Sequence, residues 1–146
     1  MTELHIVVGV LAIALTGAAA LWGAFCWWRV RRTVLFWQLL RAAQIVIVVE
    51  VALGGALLAI GRKAPGLHDL YGVLPLLVSF IAEQLRVASA QMVLDSRGIE
   101  SAAAVGQLES EEQQAVVIAI VQRELGVMVL AAIVIVVLLA RAAGTG

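Results

Sequence analysis

The sequence predicts an all-α fold, an integral membrane four-helix bundle with cytoplasmic extensions of the third and fourth helices. Three observations lead there. The 146-residue chain is 63% hydrophobic and only 14% charged, with a mean hydropathy of +1.05. Soluble domains run at roughly 45–50% apolar and about 25% charged. Four long apolar runs approach or reach the ~20 residues that a helix needs to cross a hydrocarbon core. Lys and Arg are also distributed unevenly between the two sets of helix ends, as in multi-pass proteins. The length suits one four-span membrane domain over residues 1–146.

The first run, HIVVGVLAIALTGAAALWGAFCWW at 5–28, carries no charge after His5. A cleaved signal peptide needs a basic leading region and a short apolar stretch. Here Glu3 is the one charge ahead of the run and RVRR follows it like a stop-transfer signal, so a retained helix is expected. Gly9, Ala12, Thr16, Ala19 and Gly23 recur at three- and four-residue steps on one face. Such a stripe lets two helix backbones approach closely; its other use is to line a ligand groove. The second run, AAQIVIVVEVALGGALLAIG at 42–61, holds Gly54 and Gly55, a place for close approach or local flexibility.

The third span is 71–94, with Pro75 in its first turns, where the missing N–H leaves a carbonyl unpaired or marks the start of regular helix. The fourth is 115–140, because AVVIAIVQREL leads into GVMVLAAIVIVVLLA without a breaker. Residues 95–114 form a cytoplasmic connection, in which Gly98 and Gly106 interrupt periodicity. Ser110–Gln113, SEEQ, fits a capping box with Ser110 as cap and Gln113 reaching back. Glu111 and Glu112 complement the helix dipole. A helix from Ser110 to Ala140 is about 45 Å long, more than the ~30 Å core. Its first turns should therefore project into the cytoplasm, as should the third helix through Asp95.

Orientation follows from the basic residues. Arg29, Arg31 and Arg32 fill the first connection and Arg97 the third, with Arg41, Arg86 and Arg123 toward the same helix ends. Arg62, Lys63 and Arg141 lie at the other ends. The expected location is the cell membrane, with both termini and the GRKAPGLHDL turn outside. Trp22, Trp27, Trp28 and Trp37 read as interfacial anchors.

The spans carry a polar layer. Counted inward from the outer ends, Glu50 and Glu83 share roughly one depth, and Arg86, Glu124, Gln44, Gln84 and Gln122 continue the slab toward the cytoplasm. Ser79, Glu83 and Arg86 fall on one face of the third helix, with Gln84, Gln91 and Asp95 on another. Arg86 can pair with Glu83 along its own helix or reach Glu124 across to the fourth. Glu50 has no basic neighbour one turn away, so it must find a partner on another helix, face water or stay protonated. In one reading the layer is interhelical glue whose ends snorkel into headgroups. In the other, Glu50 and Glu83 line a proton or cation path or contact a quinone headgroup.

His5 and His68 both fall at the outer face. Two imidazoles can ligate a haem b or a copper ion; equally, His68 and Asp69 read as caps of the third helix. One cysteine, Cys26, excludes an internal disulfide and a cysteine-based zinc site, and reads as a buried thiol. A net charge of zero offers no basic field for nucleic acid. No P-loop, GxGxxG, HExxH or GxSxG motif is present. The expected partners are the lipid bilayer and another membrane protein or a second copy. The expected role is a small non-catalytic accessory, assembly or scaffold subunit. The alternatives are a haem- or quinone-binding electron-transfer subunit and a proton or cation conductor.

Overall fold

The computed structural model describes residues 2–62 and 66–145. The described residues form four long helices and one short one: α1 (Thr2–Trp28), α2 (Val34–Ala59), α3 (His68–Ser96), α4 (Ala102–Val105) and α5 (Ser110–Ala143). No strand occurs among the described residues. The four long helices are each long and apolar enough to cross a membrane. All four begin earlier than their apolar runs, because helical hydrogen bonding continues past the hydrophobic stretch. At α2 the difference is eight residues: Thr33 accepts from the Phe36 N–H at 3.1 Å and starts the helix well before Ala42.

Three helix ends stop in one way. In each, the second residue past the cap bonds back five residues and the residue before it takes a left-handed conformation. Gly61 (φ 83°) ends α2 and Gly98 (φ 66°) ends α3. Val30 (φ 50°) ends α1, with Val30 N–H donating to Trp27 O at 3.2 Å and Arg31 N–H to Cys26 O at 2.9 Å. A β-branched residue is strained in that region, so this turn is held from outside. Trp22 Nε1 donates to Thr33 Oγ1 at 2.9 Å across it.

Two expected caps are not formed. Glu109, with ψ of 145°, is the N-cap of α5, and no side chain caps that helix. The helix thus starts one residue before the SEEQ reading requires, which leaves the Ser110 hydroxyl inside the first turn. Leu67 is the N-cap of α3, again without a side-chain cap, and the His68 ring points elsewhere. In the GRKAPGLHDL turn, Lys63, Ala64 and Pro65 lie outside the described residues. The connection after α3 contains an unexpected turn of helix, α4, which Ser101 caps by accepting from Ala104 N–H at 3.3 Å.

Packing follows the small-residue stripe. Ala12, Thr16, Ala19 and Gly23 are buried along α1. Helix α1 lies against both α2 and α5, α3 packs most extensively on α5, and α2 touches α3 only lightly. The larger core joins Ala19, Phe36, Leu40, Leu125, Met128 and Val129 toward the α1–α2 turn. A second core of Ala12, Ile47, Ile135 and Leu139 lies toward the termini. A third, of Leu94, Ile99, Val105 and Val116, folds α4 onto α3 and α5.

Candidate functional site

The polar residues of the spans gather in two clusters rather than one slab. The first lies toward the α1–α2 turn and centres on Glu83 of α3. Arg41 of α2 grips its carboxylate with both guanidinium branches, Nη1 to Oε1 and Nη2 to Oε2, the second at 3.2 Å. Gln44 Nε2 donates to the same Oε1 at 3.1 Å, and Arg86 Nε donates to Oε2 at 3.1 Å. A carboxylate offers about four acceptor positions, and all four are used. Gln44 is itself oriented, since its Oε1 accepts from Arg41 Nη1 at 2.6 Å.

Arg86 carries the cluster onward. Its Nη1 stands 3.5 Å from Glu124 Oε1 of α5, and its guanidinium carbon lies 5.5 Å from the Trp37 ring centre. The charges alternate along Arg41, Glu83, Arg86 and Glu124 and sum to zero. This ladder ties α2, α3 and α5 together at one level. Arg41 is about half exposed, at 48%, whereas Glu83, Arg86 and Glu124 are 22–27% exposed. The inner members depend on each other more than the outer one does.

The second cluster lies toward the termini. His5 Nδ1 of α1 faces Glu50 Oε1 of α2 at 3.1 Å. Two glycines make room for the pair: a Cβ on Gly9 would sit 2.8 Å from Glu50 Oε1, and one on Gly54 would sit 3.6 Å from His5 Cε1. The His68 ring meets His5 edge to face, centroids 5.9 Å apart, and its Nδ1 lies 2.9 Å from Ala142 O at the end of α5. The cluster therefore draws on all four long helices. It is not fully satisfied, because His5 Nδ1 and Glu50 Oε2 are buried without a well-formed hydrogen bond.

Glu50 and Glu83 are thus not level. Gln44, which bonds to Glu83, lies six residues from Glu50, about 9 Å along α2. The reason is where the helices stop. α2 ends nine residues past Glu50, while α3 begins fifteen residues before Glu83. Between Gln44 and Glu50, one turn from each, lies the buried side chain of Ile47.

The remaining residues divide. Gln122 Nε2 donates to Trp27 O at 2.6 Å and ties α5 to the end of α1. Gln84 lies exposed, away from both clusters. Arg41 is the ladder member that the sequence reading leaves out of its candidate site. Its spacing of three residues from Gln44 on one helix face was the available signal. Among the described residues, no group of three or more His, Cys, Asp or Glu side chains is placed to hold a metal ion. His68 Nδ1 meets the Ala142 carbonyl, and His5 Nδ1 faces Glu50 without a well-formed hydrogen bond, so Nε2 is the nitrogen of each ring that a haem iron would take. No family model, curated protein or solved structure matches the chain.

Proposed function

We propose that the chain stands in the cell membrane as a four-helix bundle, both termini outside, with the α1–α2 turn, α4 and the first turns of α5 in the cytoplasm. We further propose that it serves as a non-catalytic accessory, assembly or scaffold subunit, for other membrane proteins or for further copies of itself. The observation that carries this reading is the closed ladder around Glu83. Its carboxylate has no acceptor position left for a substrate or a travelling proton, and the cations on either side are held by it. Such a network sets the register of α2, α3 and α5. The outward faces carry exposed Leu21, Val48, Phe80 and Val137, which suits lipid or another span. Native mass spectrometry from mild detergent tests the role. A complex of fixed stoichiometry, heavier than the 15.4 kDa chain, is expected; a strictly monomeric particle contradicts it.

One observation favours a second reading, an electron-transfer subunit with haem b: two histidines from α1 and α3 meet at the termini end. A Soret band in protein purified from haem-supplied cells supports this reading, and a flat spectrum removes it. A proton or cation path through Glu50 and Glu83 is disfavoured by the Ile47 side chain between the clusters. Liposome flux lowered by Glu50→Gln would reinstate that path.

A further inference from the structure

Two open surface recesses lie between the end of α1 and the side of α5, and they share one wall residue, Gln122. The first, about 280 Å³, is half polar and half apolar, walled by Arg31 and Arg32 of the turn and Gln114 of α5 on one part and by Val30, Ile118 and Val121 on the other. The second, about 410 Å³, has an almost wholly apolar surface along Trp27, Gly126, Val127 and Leu130, with the exposed Arg123 also in its wall. Gly126 is required for its shape, since a Cβ there would lie 2.9 Å from the Trp27 indole. Trp27 therefore lies close against α5, with its carbonyl held by Gln122.

Arg31 and Arg32 are exposed and take part in none of the ion pairs among the described residues. Glu111, one turn from Gln114, pairs with neither. The cations thus face a recess whose lining, among the described residues, contains no acidic side chain. From Gln122 to Leu130 the groove descends eight residues, about 12 Å, within the ~15 Å half-thickness of a hydrocarbon core. A free phosphate can use the recess but not the groove below it. A zwitterionic lipid can use the groove, but its own ammonium group offsets much of the attraction between its phosphate and the two arginines. We infer that this site binds one anionic phospholipid, its phosphate between Arg31 and Arg32 and the upper part of one acyl chain beside Trp27 and Gly126.

The orientation proposed above decides only which leaflet supplies the lipid, so the test uses symmetric conditions. The full chain in mild detergent is titrated with phosphatidylglycerol or phosphatidylcholine and the bound lipid is read by native mass spectrometry. One phosphatidylglycerol per chain should be retained more tightly than phosphatidylcholine. The double variant R31Q/R32Q should weaken phosphatidylglycerol by about 25-fold, about fivefold for each arginine near a headgroup. Val127→Trp fills the groove without changing charge and should weaken it at least tenfold. Arg141→Gln, at the opposite end, should change nothing. Circular dichroism and size-exclusion elution establish that each variant is folded. Equal retention of the two lipids overturns the proposal, as does retention unmoved by R31Q/R32Q. Weakening by R31Q/R32Q with none from Val127→Trp overturns it too, since that is headgroup attraction without a groove.

Discussion

Glu83 holds three side chains from two helices, so its removal should be felt beyond its own position. In Glu83→Ala, Arg41 can turn outward to water or headgroups, but Arg86 keeps only Glu124 and the Trp37 face. A loss of about 1–3 kcal/mol is expected, measured by unfolding in mixed micelles. An unchanged midpoint would mean that the grip seen on this carboxylate contributes nothing. Val30 offers the opposite case. Its left-handed backbone costs a β-carbon roughly 1–2 kcal/mol, partly offset by the chain entropy that glycine adds to the unfolded state. Val30→Gly should raise stability by about 0.5–1 kcal/mol in the same assay; a loss would show that the Val30 side chain contributes more than its strain costs. Arg86, Glu124 and Gln44 could be named from spacing alone. The His5–Glu50 pair could not, because it depends on where two helices begin and end relative to each other.

The helices divide their glycines into those in contact and those in the open. A Cβ on Gly23 would lie 2.5 Å from the Phe36 ring and 2.7 Å from Val129, and Phe36 is fully buried with nowhere to move. Gly23→Ala should cost about 1–3 kcal/mol through overpacking. Gly55, exposed, has nothing within 4 Å of such a carbon. Gly55→Ala should be neutral or stabilise by up to about 1 kcal/mol through helix propensity. A paired thermal-stability measurement should therefore move the two variants in opposite directions or leave Gly55→Ala unmoved. The small-residue stripe that predicts the Gly23 seam was legible because period and residue size are both sequence properties. The helix starts were less so. Hydropathy marks where a helix meets lipid, whereas Thr33 begins α2 by hydrogen bonding, eight residues earlier. Glu109 displaced Ser110 as a cap for a similar reason, since the approach of the chain from α4 decides which residue is extended.

Across the whole molecule, apolar packing is unevenly shared. α5 is the most buried of the four long helices and α2 the least. α2 rests on α1 and meets α3 lightly, so the Arg41–Glu83 fork is the strongest fastening between those two helices. Four spans were legible from composition and run length. The order in which they pack was not, since apolar faces in lipid carry no preference for one neighbour over another. Small residues and the polar pairs make that choice. If the polar ladder is structural and joins α2 to α3 and α5, its two best-paired members must stabilise the fold together. A double-mutant cycle on Arg41→Ala and Glu83→Ala, read by unfolding in mixed micelles, tests it most directly. A coupling of about 1–2 kcal/mol is predicted. Strictly additive losses, with no coupling between the two residues, would contradict it.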